Sequence, residues 1–212
     1  MKKTFVFTLL LCAVWTLTAS AQNTVESIRK EYQDVQKWIA EMEDFESETY
    51  PAYYDLHVKQ NLPGTGLHEE NICLYFTEEE PDYEAEEVYT SPTNHLRFVK
   101  AKYNFAAREF YEEYLYDDKG QVMFIFAITV DVDEHPYQLR MWFDGKRLLQ
   151  FTAKQLEGYP DEQVDILLKT NSKMVYSGST IPEKYQRETD RYMQQAEKHL
   201  KLFKGIDDNK YR

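Results

Sequence analysis

Cysteine is nearly absent from this chain. The sequence carries two, Cys12 and Cys73, and the first lies inside an N-terminal apolar run that reads as a removable leader. A single remaining thiol excludes a disulfide framework, so the fold must rest on buried apolar surface. Cys73 sits between Ile72 and Leu74 with no basic cluster beside it. It therefore reads as a small hydrophobe on a strand and not as an activated nucleophile. Recognisable catalytic motifs are missing as well. There is no phosphate loop, no Gly-x-Ser-x-Gly elbow and no His-Glu-x-x-His, and these are the patterns whose spacing carries chemistry. The histidines, His57, His68, His95, His135 and His199, share no metal-ligand spacing. No cofactor, metal site or catalytic residue is assigned from the sequence.

Basic charge is in short supply. Lys plus Arg number 25 against 37 Asp plus Glu, a net charge of −12. Loss of Lys2 and Lys3 with the leader lowers the basic count to 23 and brings the net charge to about −14. Such a surface repels polyanions, which argues against nucleic acid and anionic membrane surfaces as partners and favours neutral or cationic ligands. Long hydrophobic runs are also lacking. The single apolar stretch, Phe5 to Leu17, is shorter than a comfortable bilayer span.

That stretch has the features of a signal peptide. Lys2 and Lys3 precede it, and Ala19-Ser20-Ala21 supplies the small residues a signal peptidase needs. Cleavage after Ala21 would leave 191 of the 212 residues, the length of one domain with a real core. Cys12 lies within the apolar run and not at the cleavage point, so the expected product is a soluble exported protein without a lipid anchor. The domain scheme is thus a leader at 1–21, a single domain at 22–206 and a tail at 207–212. Periplasmic and fully secreted fates both stay open, as does the oligomeric state. No membrane insertion is expected after cleavage.

Antiparallel hairpins dominate the middle of the chain. Tyr114 to Phe126 and Leu139 to Phe151 each pair two apolar runs across an Asp/Gly turn. In Gln121 to Val132, residues Val122, Phe124, Phe126, Ile128, Val130 and Val132 alternate onto one face, the mark of a strand with one buried side. The opposite set, Met123, Ile125 and Ala127 among them, is only half polar. In Tyr137 to Asp144 the alternation is cleaner: Tyr137, Leu139, Met141 and Phe143 face one way, and Gln138, Arg140, Trp142 and Asp144 the other. Asp144-Gly145 predicts a type I′ hairpin turn and Asp117 to Gly120 a slightly longer one. Further strands are expected at Tyr53 to Asn61, Asn71 to Thr77, Leu96 to Phe105 (with a bulge near Phe98) and Arg108 to Asp117.

Helices flank these strands. Val25, Ile28, Tyr32, Val35, Ile39 and Met42 recur at three and four, giving one apolar stripe capped by Asn23 with Glu26. A second helix is expected after Asp161, carrying Val164, Leu167, Leu168, Met174 and Val175. A third is expected from Thr180-Ile-Pro-Glu183 to Gly205, with Tyr185, Tyr192, Met193, Ala196, Leu200 and Phe203 in its stripe. The fold class is α+β: an antiparallel meander of six or seven strands packed with an N-terminal helix and C-terminal helices, the helices covering one face and the other partly open. The acidic run Glu78 to Glu87 reads as a solvated loop, since it has no glycine and no EF-hand spacing for calcium. Asp131 to His135 reads as an acidic turn.

Aromatic content stands out, with 17 Tyr, 12 Phe and 3 Trp. Tyr and Trp suit a partly wet surface that binds something. Trp142, Arg140 and Gln138 share the more polar strand face, and Tyr111 and Glu113 supply a matching row on a neighbouring strand. These five are the candidate binding residues, for a glycan or a peptide. Burial of Trp142 under a helix is the competing expectation. Glu112 and Glu113 are adjacent on a strand and point to opposite faces, so they cannot form a glycosidase pair. The leading function is a non-enzymatic exported binding module. The alternatives are a carboxylate-based hydrolase and a structural or assembly protein. The Tyr-rich double hairpin (Tyr116 to Phe126, Trp142 to Phe151) with the Ala19-Ser-Ala-Gln22 export signal resembles small exported Gram-negative proteins of unknown function, over about a third of the chain. That resemblance implies export and assigns no site residue.

Overall fold

The structure, a computed structural model, describes residues 23–44, 52–79, 93–130 and 134–208. The leader at 1–21, most of the acidic run after Glu79, and Asp131 to Asp133 lie outside the described residues, as does the tail after Asp208. Helix α1 spans Val25–Glu43. The strands are β1 Tyr53–Leu62, β2 Gly66–Glu79, β3 Thr93–Phe105, β4 Arg108–Tyr116, β5 Val122–Val130, β6 Pro136–Asp144 and β7 Arg147–Leu156. Then come the short helix α2 Val164–Leu167, strand β8 Ser172–Gly178 and the long helix α3 Glu183–Asp207. The fold is α+β. Among the described residues, eight strands form one open sheet in strict chain order, each antiparallel to the next.

The eighth strand corrects one expectation. Met174 and Val175 belong to β8 and not to a helix continuing from α2. Both are exposed, because β8 pairs only with β7 at the sheet edge. An edge strand of this kind carries little buried alternation to be read.

The second correction concerns the faces. The helices do not share one side. Helix α1, with α2, covers the face carrying Phe98, Leu115, Phe124, Phe126, Ile128 and Trp142. Helix α3 covers the other, where Leu74, Val99, Tyr114, Ile125, Leu139, Met141 and Phe151 are buried. A strand covered on both faces reads as a nearly continuous apolar run. β5 is buried at every position from Val122 to Thr129, which is why the face holding Met123, Ile125 and Ala127 looked only half polar.

Bulges set the local faces. Leu115 pairs with Phe124 but Tyr116 with Val122, leaving Met123 as the extra residue. Val122 therefore joins the α3 face and Met123 the α1 face, reversing the simple alternation at that end. In β3 the shift falls at Arg97, between Leu96 and Phe98, one residue before the expected slip. The face assignment of Tyr137, Leu139, Met141 and Phe143 is as expected, all four in the α3-side core.

Turn and cap chemistry differ in detail. Gly145 has φ +58 and Lys146 has no positive φ, so the turn has the single left-handed residue of a type II′ hairpin instead of the two of type I′. Gly120 takes the left-handed position as expected, at φ +74, with the Asp117 carboxylate accepting from the Lys119 and Gln121 N–H groups. Helix α1 is capped by Thr24 and not Asn23: the Thr24 hydroxyl accepts from the Ser27 N–H, and the Ser27 hydroxyl accepts from the Thr24 N–H. Helix α3 starts after Pro182 without a side-chain cap and runs through Gly205 to Asp207. Thr180 instead hydrogen-bonds the Tyr176 hydroxyl. None of the described helices is long and apolar enough to cross a membrane.

Candidate functional site

Three rows of side chains cross β4, β5 and β6 on the α1 face. The register places Leu115, Phe124 and Trp142 in one row. Glu113, Phe126 and Arg140 make the next, and Tyr111, Ile128 and Gln138 the third. The five candidate residues thus share one face, but β5 lies between the Tyr111–Glu113 pair and the β6 set, so the two strands are not neighbours.

Helix α1 lies over the first row. Trp142 is only 3% exposed, packed 5.2 Å from Phe124 and covered by the Arg29 guanidinium at 5.1 Å. It is a wall and not an open stacking platform, because α1 closes the face at that end. Tyr32 meets Phe124 edge-on at 5.1 Å, which anchors the helix at an aromatic contact worth about 1 kcal/mol beyond burial.

Beside these contacts a space is left between α1 and residues of all three rows. A cavity of about 400 Å³ opens there, within the usual size range of small-ligand sites. Its helix side is Arg29, Tyr32 and Gln33; its floor is Glu113, Phe124, Phe126, Gln138, Arg140 and Trp142, with Leu168 at the rim. Four of the five candidate residues line it. Tyr111 stands behind, donating its hydroxyl hydrogen to Glu113 Oε1 at 2.7 Å. Tyr32 donates to Glu113 Oε2, also at 2.7 Å.

Each Glu113 oxygen thus accepts one phenol. Burial pushes this carboxyl above the usual range, while the two phenols, Lys100 and Arg140 pull it back. Burial likewise lowers the Arg140 guanidinium from its usual value, and Arg29 adds to that, against the pull of Tyr32 and Glu113. The Arg140 head lies over the Phe126 ring at 5.4 Å. Its Nε is buried without a hydrogen-bond partner. Among the described residues Glu113 is the one carboxylate lining the cavity, whereas two-carboxylate hydrolysis needs a second acid across the cleft. Glu112 points to the opposite face, as its position next to Glu113 requires. Among the described residues no group of three or more His, Cys, Asp or Glu is placed to hold a metal ion.

Arg29, Tyr32 and Gln33 were not candidates from sequence. Tyr32 lies in the apolar stripe of α1, and nothing local says that its hydroxyl end meets a carboxylate 81 positions away. Cys73 is half-buried on β2; burial, with Asp55 near its thiol, pushes its pKa up to about 11, the inert condition its apolar neighbours suggested.

Compared with known proteins, the chain matches no family model, no curated protein and no solved structure. Any function is therefore argued from the geometry of this cavity.

Proposed function

We propose that this protein is an exported binding module whose site is the cavity between α1 and strands β4 to β6, and whose ligand is a glycan or peptide unit. The observation that carries the reading is convergence: aromatic walls (Tyr32, Phe124, Phe126, Trp142) and polar heads (Glu113, Gln138, Arg140) turn toward one space of about 400 Å³. Elsewhere on this face side chains pack with residues of α1 and α2. Leaving room at the polar rows sacrifices contact that apolar residues would supply, and such departures concentrate at functional sites. The leader-like N-terminus supports export, to the periplasm or beyond.

The test is retention of the full-length mature protein on arrayed glycans and peptides, beside a Gln138→Trp variant that fills the cavity from its half-buried floor. Retention by the wild type and its loss in the variant, with circular dichroism unchanged, supports the reading. Equal retention by both, or by neither, overturns it.

A further inference from the structure

Four arginines of this acidic chain have carboxylate partners, and a fifth, Arg187, is exposed to solvent. Arg97 pairs with Glu31 and Asp118, Arg108 with Glu134, Arg147 with Asp144 and Arg191 with Glu112. Arg140 and Arg29 differ. Neither has a carboxylate within 4.0 Å among the described residues, although both line the same cavity. Arg29 holds only the Gln150 amide oxygen, at 3.5 Å, and Arg140 Nε is buried with no partner. A buried N–H without an acceptor is costly even on a half-buried guanidinium, and a specific unsatisfied group calls for an explanation. The nearest acid on the face, Glu113, does not supply it. It sits two strands away across Phe126, a separation of about 10 Å at ordinary strand spacing, and each of its oxygens accepts one phenol and keeps a second lone pair.

We infer that the cavity takes a small ligand bearing a carboxylate, seated against Arg140 and Arg29, with a hydrogen-bond donor of the same molecule reaching Glu113. The inference rests on the binding-module reading and adds the chemistry of the ligand. A guanidinium fork matches a carboxylate in shape and charge, and the bonds formed are of the strong charge-assisted kind. Glu113 offers only acceptor capacity when ionised, so the group opposite it is a donor, a hydroxyl or an amide N–H. An acidic sugar and a peptide C-terminus both have this pattern, a carboxylate at one end and donors a few ångströms along. A carboxylate ligand departs from the preference for neutral or cationic ligands drawn from net charge. Overall charge acts at long range and is screened within about 8 Å at physiological salt, whereas the two guanidiniums act at contact.

The experiment titrates the full mature chain, ¹⁵N-labelled, with glucuronate against glucuronamide and with alanyl-alanine against its amide. The Arg140 Nε–H and Trp142 indole N–H resonances are followed. Saturable movement of the Arg140 signal by at least one carboxylate, binding about tenfold tighter than its amide, is the expected result. The tighter of the two carboxylates tells sugar from peptide. Arg140→Gln is expected to lose that tenfold, and Arg140→Lys, which keeps the charge without the fork, to retain part of it. Amides binding as tightly as carboxylates would overturn the inference and leave the binding-module reading standing. No movement of either resonance by any of the four would mean that water alone meets Nε, and both would fall.

Discussion

Two neighbouring glutamates on β4 make the same local arrangement on opposite faces of one sheet, and differ in how it is closed. Glu112 is 1% exposed and Glu113 is 6% exposed. Each accepts hydrogen bonds from two tyrosines: Tyr103 and Tyr114 for Glu112, Tyr32 and Tyr111 for Glu113. On the α3 face an arginine completes the set. Arg191 lies 3.4 Å from Glu112 Oε1 and donates to the Tyr103 hydroxyl at 2.7 Å. On the α1 face the corresponding cation, Arg140, lies two strands away and leaves its Nε unpartnered beside a cavity. One network joins acid and cation within the chain and reads as structural, although the Tyr192 hydroxyl beside it is also buried without a partner. The other lacks a group, and that gap marks the candidate site.

If that contrast is right, the two glutamates respond differently to removal. Glu112→Ala orphans one buried and one half-buried phenol, Tyr114 and Tyr103, and the inner edge of Arg191. Each lost charge-assisted bond is worth about 1.5–3 kcal/mol. Arg191 can turn to solvent, its side chain being 41% exposed, so the combined loss should be about 3 kcal/mol. For a domain of this size that lowers Tm by roughly 10 °C, measured by calorimetry. A loss under 1 kcal/mol would remove the distinction.

Acid should expose the α3 face next. His199 is 4% exposed and its ring meets that of Tyr114 at 5.0 Å in a tilted contact. Burial, with Lys198 beside it, lowers its pKa from 6.5 to about 4. Between those values the unfolded chain binds the proton and the folded one does not, so stability falls as pH drops from about 6.5 to 4 and levels off below. The full effect approaches about 3 kcal/mol, and only part of it is present at pH 5. Urea midpoints across that range, compared with His199→Phe, should show the slope flatten in the variant.

How much of this was legible in the sequence depended on whether the deciding contact was local. The period-two pattern of Tyr137 to Phe143 placed Trp142, Arg140 and Gln138 together, because alternation is a property of one strand. That Tyr111 and Glu113 share a face with each other followed from the same rule, whereas its being the face of Trp142 is set by the register across β5. Arg29 and Tyr32 were invisible because the seating of α1 on the sheet joins residues far apart in the chain. The strand at Ser172–Gly178 was misread because Leu167, Leu168, Met174 and Val175 mimic helical spacing, while the partner that makes the last two a strand is β7. Coverage of both faces was hinted at by the apolar set at Met123, Ile125 and Ala127, but a single strand does not say which helix lies on which side.

A smaller effect separates the networks by charge alone. Glu113→Gln keeps the shape and an acceptor and removes a buried acid, so its stability at neutral pH should stay within about 1 kcal/mol of wild type. The pH dependence also changes sign relative to His199. Burial raises the folded pKa of Glu113 above 4.5, so the folded chain holds its proton longer than the unfolded one. Stability from this group therefore falls as pH rises through the window above 4.5. The two slopes oppose each other, and Glu113→Gln should steepen the acid-side loss due to His199. An unchanged profile would show that Glu113 is ionised throughout and that its phenols suffice.

The last effect, of about 1 kcal/mol, is opposite in direction to the first. Arg140→Met replaces an unpartnered, half-buried guanidinium with a flexible apolar chain of similar reach over Phe126. Removing a poorly compensated charge from a buried position is often neutral or stabilising, and methionine fills irregular space. The variant should therefore melt at or slightly above the wild-type temperature and lose carboxylate binding. Arg191 serves as the reference: Arg191→Met breaks the completed Glu112 network and should destabilise. Should both arginine variants lose stability equally, Arg140 would be as structural as Arg191, and the unpartnered Nε would no longer point to a ligand. Stability gained at 140 and lost at 191 is the signature of a residue kept for what it binds, since selection tolerates a local defect where function requires it.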